Sequence, residues 1–315
     1  MASDDSTLPA LNPHLYEDCD DEEDLLWKAP LAALLDGTQT PLQAAQAIDS
    51  LLRAETSRRL QKLNDYAASH HMTTEALESD DWMDLYPPNA SALAQEVIRW
   101  WCKVCTAFYP HSGGQDRLIG LLEELRCLPR WMAPETRPDE NGEVVETEFW
   151  AFGKNWIGLA DKLRRERDAD AGPYTHIPES CTRWQNLQSA MARVTADGLI
   201  YGAPFTALQN IVATGENDRK IPDLDIVAAA QWVIWPVECR HVYVECMKKE
   251  NAVHYWEPWS RQRWNLWKDV FRHATGDGRH NDRTRDMAAR AFQQMNEVEI
   301  EVDEEGSEGS VNGSE

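Results

Sequence analysis

Four groups of residues in this 315-residue chain have types and spacings that could do chemistry. Asp80, Asp81 and Asp84 form a DDxxD pattern, and carboxylates at that spacing can hold Mg²⁺ against a diphosphate, because the ion takes oxygen ligands and substrate phosphates. Trp101-Cys102-Lys103-Val104-Cys105 has the outline of a redox WCxxC. Cys239, His241 and Cys246 are thiol and imidazole groups of the kind zinc takes. Trp256, Trp259, Trp264 and Trp267 crowd into a single short stretch and could line an aromatic cage for a flat or cationic ligand.

Each group also has a plainer reading. The aspartates resemble the first metal motif of class I terpene synthases, which would imply a Mg²⁺-dependent enzyme of isoprenoid diphosphates. However, the residues before them, 73–79, carry no apolar-aromatic helix, and Tyr86-Pro87-Pro88 follows soon after. The second metal motif fails at Asn281-Asp282-Arg283-Thr284, where the hydroxyl comes one position early and no Glu follows in place. Residues 20–24 satisfy DDxxD as well, so the pattern reads more simply as solvated acids. The WCxxC needs a strand before it, whereas 96–101 continue a helical stripe, so Cys102 and Cys105 read as core thiols. Cys239 and Cys246 share a helix face at i, i+7, but His241 at i+2 points away from it. GxSxG, HExxH and GxxxxGK[ST] are absent, and Gly276-x-Gly278 does not extend to GxGxxG. No catalytic residue is assigned and no cofactor is expected. The step Trp264, Trp267, Phe271 favours packing of the tryptophans in a core over a ligand cage.

The elements that must position these residues are helical. Thr40-Pro41 is a start signal, with Thr as N-cap and Pro at the first helical position, and Leu42, Ala45, Ile48, Leu51 and Leu52 continue as an apolar stripe. Val97, Trp101, Val104 and Phe108 predict a helix over about 90–108. Leu118, Leu121, Leu122 and Leu125 predict another over about 115–126. Phe149, Phe152, Trp156, Leu159 and Leu163 step by 3, 4, 3, 4, as do Trp184, Leu187, Met191 and Val194. Met287, Ala291, Met295 and Val298 close the series. Pro236 should kink the 223–249 stretch or divide it into two helices. Residues 142–147 read as a short hairpin arm or a loop. Stretches 134–142, 215–222 and 276–278 are the clearest breaks. With no β–α alternation, the expectation is an all-α, irregular single-domain bundle of eight or nine helices over 25–298. The acidic segments 1–24 and 299–315 are expected to be disordered.

Charge is concentrated at the two ends. The net formal charge is −23; residues 1–28 hold nine acids and one base, and 297–315 hold eight acids and no base. Such a chain repels phosphate backbones and anionic lipid, so neither nucleic acid nor membrane is expected as a partner. The local basic run 162–167 reads as a solvated helix end. The longest apolar run, 226–237, contains Gln231 and is too short to span a bilayer. Seven cysteines without paired spacing and an acidic start without an apolar core suggest reduced thiols and a cytoplasmic or nuclear protein, not a secreted one.

Several segments carry a family resemblance: Pro41-Leu42-Gln43-Ala44-Ala45, Pro87-Pro88 before a tryptophan-bearing helix, 116–125, Trp184-Gln185-Asn186-Leu187 with Ala192-Arg193-Val194-Thr195-Ala196, and Ala228-Ala229-Ala230-Gln231-Trp232. Most specific is Trp256-x-x-Trp259-Ser260-Arg261-Gln262-Arg263-Trp264-Asn265-Leu266-Trp267-Lys268-Asp269-Val270-Phe271, with 284–295 as a closing helix. Over about 36–298 this order is similar to a fungal family of unknown function, domain of unknown function 3632. The chain departs from the family where the usual glycines before Trp264 are missing and Arg261-Gln262 replaces a lysine–glutamate. The resemblance implies a fungal source, an all-helical domain, and Trp264 and Trp267 as structural markers; it brings no catalytic residue.

The functional expectation is therefore a non-enzymatic binding, regulatory or accessory protein with a protein partner, for which acidic tails suit a basic surface. The alternatives are a small-ligand protein with a pocket at Trp256, Trp259, Trp264 and Trp267, and an isoprenoid-diphosphate enzyme using Asp80, Asp81 and Asp84.

Overall fold

The computed structural model describes residues 10–70, 86–136, 143–151, 156–168, 179–212, 221–251 and 259–311. Among them the chain forms ten α-helices, short 3₁₀ turns and one two-stranded sheet, so the class is all-α as expected, with one helix more than the upper count. No helix among the described residues is long and apolar enough to cross a membrane. The residues gather into two compact units, and each is described by itself.

The first unit comprises 14–104 and the described residues of 116–162. It holds α1 (Glu22–Leu35), α2 (Pro41–His70), most of α3 (Ala90–Cys105) and α4 (Gly113–Cys127), and the strands β1 (Trp131–Pro134) and β2 (Glu146–Phe149). Asp21 caps α1 by accepting from the Asp24 amide at 2.9 Å, and Glu22, Glu23 and Asp24 in the first turn suit the positive end of the helix dipole. α2 opens with a reciprocal capping box. The Gln43 amide donates to Thr40 Oγ1 at 3.2 Å, and the Thr40 amide donates to Gln43 Oε1 at 2.9 Å. β1 and β2 pair antiparallel with Trp131 opposite Phe149 and Pro134 opposite Glu146. Phe149, expected to begin a helical stripe, thus lies in a strand; the helix α5 (Leu159–Asp168) starts only after a 3₁₀ turn at Trp156–Gly158.

Two polar nodes tie this unit together. Asp49 on α2 accepts both indole N–H groups of the strand region, from Trp131 at 2.9 Å and Trp150 at 2.7 Å, on the same Oδ1. Its Oδ2 accepts from Arg53 Nε at 2.8 Å, and the Arg53 guanidinium lies 4.2 Å from the centre of the Trp131 ring. The second node fastens part of the segment expected to be disordered. Leu15 is buried, and Asp20 pairs with the buried Lys28 at 2.5 Å, with that ammonium 5.3 Å from the Trp100 ring.

The second unit comprises 10–13, 105–115 and the described residues from 163 onward. Its centre is α6 (Ser180–Ala196), of which thirteen of seventeen residues are buried. Several of those are polar, so each needs an internal partner to offset desolvation. Arg183 donates to Thr106 Oγ1 at 3.0 Å, to the Asn12 carbonyl at 2.8 Å and to Glu179 at 2.9 Å. Asn186 donates to the Thr106 carbonyl at 2.8 Å. Gln115 Oε1 accepts from the His111 amide, Ser189 and Arg193, at 3.0, 3.2 and 3.1 Å. Gln188 Oε1 accepts from the Ala207 amide at 2.8 Å and from Trp232 Nε1 at 2.7 Å.

α6 packs on α7 (Asp223–Ala230) and α8 (Pro236–Met247), and α9 (Arg261–Gly276) and α10 (Asp282–Val311) complete the unit. Pro236 separates α7 from α8 and sits at the start of α8, where its missing N–H costs nothing. α10 packs on α7, α8 and α9. It also runs beyond residue 298, where the acidic tail was expected to lose structure. Glu299 takes the Trp264 indole N–H at 2.6 Å and Lys268 at 2.5 Å, and Glu305 pairs with Arg240. The reason is local: these acids meet cations and an indole of α8 and α9, so ordering them is offset by charge-assisted hydrogen bonds.

Candidate functional site

The tryptophans of the 256–267 segment are placed as follows. Trp256 lies outside the described residues. Trp259 is buried, its ring centre 5.5 Å from His241 and 6.0 Å from Tyr201. Trp264 is buried against Tyr243 at 5.0 Å with its N–H given to Glu299, and Trp267 is fully buried. Trp264, Trp267 and Phe271 make up the inward stripe of α9, packed as side chains of a core.

The adjoining face of the same helix carries the better site. Leu266, Asp269, Val270, His273, Ala274 and Asp277 line an open cavity of about 280 Å³, together with Ile226 of α7, Val212 and Ile221, and Arg279 and His280 from the turn after α9. These spacings of three and four put that set on one side of α9, next to the tryptophan stripe. Val212, Ile221, Ile226, Leu266, Val270 and Ala274 make an apolar floor, with Asp277, Arg279 and His280 at the α9–α10 turn and Asp269 and His273 along α9. A concave apolar surface with a few convergent polar groups is the usual form of a small-molecule site.

Pairing organises the polar end. His280 is buried and its Nδ1 lies 2.5 Å from Asp223 Oδ1 at the start of α7. A carboxylate only accepts, so Nδ1 carries the proton. Asn281 donates to the other oxygen of Asp223 at 2.9 Å, which holds that carboxylate in place. On the far side of the imidazole, Nε2 stands 3.8 Å from Asp277 Oδ2, beyond hydrogen-bonding distance. Arg279 chelates Asp277, with Nε 3.0 Å from each carboxylate oxygen, and this pairing holds the Asp277 carboxyl down at about 2. Asp269 pairs with Arg272 at 3.0 Å, and His273 Nδ1 lies 2.6 Å from the Asp269 carbonyl.

The other groups weighed in the sequence fare as follows. Asp80, Asp81 and Asp84 lie outside the described residues. Cys102 and Cys105 are buried on α3. Cys239 and Cys246 are buried on α8, and burial pushes both thiols up, away from the thiolate that zinc requires. His241 packs on Trp259, and burial lowers its pKa. Glu17, Cys19 and Asp20 come together near the chain start, but Lys103 and Lys28 already pair with the two carboxylates. No sequence motif singled out His280, Asp223 or the floor of the cavity. The available signal was the turn Gly276-Asp277-Gly278-Arg279-His280, whose break was noted but whose side chains were not.

No curated protein matches this chain, and no solved structure matches it. Residues 101–271 match a family described as "Protein of unknown function (DUF3632)", a span that includes α6, α7, α8 and the α9 stripe of Trp264 and Trp267. That match takes in more than half of the 315 residues, and the chain belongs to the DUF3632 family.

Proposed function

We propose that this protein is a non-enzymatic binding protein for a small, largely apolar molecule with one polar end, held between α7 and α9. One observation carries the reading: the cavity of about 280 Å³ joins an apolar floor to a polar end at His280, Asp277 and Arg279, with Asp269 and His273 along α9. The pairing of those polar groups favours binding over proton transfer. Asp277 is held ionised by Arg279, far from the neutral range a general base needs, and His280 is anchored to Asp223.

The test uses N-phenyl-1-naphthylamine, a neutral probe that brightens in apolar sites. The full chain should bind it saturably, and Val270→Trp, which fills the cavity from a part-exposed position, should abolish binding while leaving the melting temperature near that of the parent. Unchanged binding in Val270→Trp would overturn the assignment.

A further inference from the structure

We infer that the outer face of α1, in the first unit and apart from the cavity, is a docking surface for an amphipathic helix of a partner protein, one whose apolar face has Lys or Arg at both ends. What leads there is a helix with no polar side. From Leu25 to Leu35 the one charged residue is Lys28, and it is turned inward, buried against Asp20. Trp27, Pro30, Leu31 and Leu34 are buried with it. The side turned away from them carries Leu25, Leu26, Ala29 and Ala33, which share one face at spacings of three, four and eight. Leu25 and Leu26 keep 45% and 55% of their surface exposed, and Ala29 is exposed between the two turns. A surface helix normally sets charged residues on its outer side, and one that is apolar all round is normally covered.

Two acids at the ends of this stripe say what covers it. Glu22 stands one turn before Leu26, and Asp36 stands just past Ala33; both are exposed on the same side of the helix. Neither carboxylate has a partner among the described residues. The cations of this region are engaged elsewhere: Lys28 on Asp20, Arg59 on Glu55 and Glu23, and Arg117 on the Leu35 carbonyl. A second copy of the chain does not fit. Laid antiparallel about Ala29, it sets Glu22 against Asp36 at both ends, and laid parallel it sets each acid against itself. An anionic lipid surface is repelled by the same two acids. A helix with cations fourteen positions apart, about 21 Å, meets Glu22 and Asp36 together while its own leucines cover the stripe.

The experiment follows the fluorescence anisotropy of three labelled peptides with the full chain, at about 0.15 M salt to screen diffuse attraction. The first is a leucine–alanine amphipathic helix with a lysine pair at each end. The second has the same residues reordered so that no apolar face remains. The third is the first with Glu for Lys. The first should bind about tenfold more tightly than the second, and the third should not bind. Leu26→Ser, at a half-exposed position, should weaken the first peptide about tenfold at an unchanged melting temperature. Glu22→Lys combined with Asp36→Lys should move the preference from the lysine peptide to the glutamate one. Equal binding of the first two peptides, no binding of the first, or an affinity untouched by Leu26→Ser would overturn the inference. Sedimentation at the mass of two chains, abolished by Leu26→Ser, would overturn it as well and give the surface to a second copy.

Discussion

Asp49 and Trp150, separated by 101 positions in sequence, meet through a 2.7 Å hydrogen bond from the indole to the carboxylate, and Trp131 reaches the same oxygen. A single acid on α2 therefore satisfies two indole donors from the strand region. An indole N–H without an acceptor in a buried setting forfeits its hydration with no return. Asp49→Ala should lower unfolding free energy by about 2–4 kcal/mol, the cost of leaving two such donors unmet. Asp49→Asn, which keeps an acceptor but loses the charge for Arg53, should cost about 1–2 kcal/mol. Urea unfolding followed by tryptophan emission checks both values, and equal stability of all three chains would contradict the role given to Asp49.

Glu299 plays the matching part in the second unit, joining Trp264 and Lys268 of α9 to α10. We expect Glu299→Ala to cost about 1.5–3 kcal/mol, the range for a hydrogen bond to a charged group. Glu299→Gln should retain the indole bond and cost less. Thermal unfolding of the two variants beside the parent decides this. Equal melting temperatures would mean that the acidic end of the chain bears no load.

Thiol reactivity gives a third check. Cys19, Cys127 and Cys181 are exposed, whereas Cys102, Cys105, Cys239 and Cys246 are buried. Burial raises the Cys239 and Cys246 thiols, so the reactive thiolate is scarce there. The native protein should release three equivalents of thionitrobenzoate quickly and the remainder only in denaturant. A fast titre of five or more would show that α3 or α8 opens readily.

At the cavity mouth, Asp277 makes a prediction about acid. The carboxyl is held at about 2 against an ordinary 3.8 by the Arg279 side chain. A folded-state value below the unfolded one stabilises the protein above about 3.8, and that contribution is lost as pH falls toward 2. Carboxyl NMR should give a midpoint near 2 for Asp277. Arg279→Ala should raise it toward the ordinary value. Melting temperature in Asp277→Asn should fall less steeply than in the parent between those two pH values.

Legibility in the sequence followed distance along the chain. The α2 start was readable because Thr40, Pro41 and Gln43 settle it among themselves. Pro236 announced a division between helices because its effect is on its own backbone. The stripe Trp264, Trp267, Phe271 gave a helix and its buried face. What could not be read was whatever depends on a remote partner. The acids after 298 look unstructured by composition, and remote partners such as Lys268, Trp264 and Arg240 give them a place. Phe149 fits a helical step but pairs in a strand, because Trp131 lies opposite it. The cavity needs Ile226 from α7 beside the less hydrophobic face of α9, so no single segment carries its pattern.

The second unit is assembled from three separate stretches of chain, and α6 is where they are joined. Arg183 reaches back 171 positions to the Asn12 carbonyl, and Asn186 and Gln115 bind across 80 and 71 positions. During synthesis, the segment 105–115 leaves the ribosome long before its partners on α6 exist. It must wait while residues 116–162 fold with a different set of neighbours. At a translation rate of about 5–20 residues per second that wait lasts several seconds. Closure of such long loops is slow, so maturation of this unit is a late, cooperative event that begins only once α6 is free of the exit tunnel. A fragment beginning at residue 163 would carry α6 without Asn12, Thr106 and Gln115, so Arg183, Asn186 and Ser189 would lose partners while Gln188 kept Ala207 and Trp232.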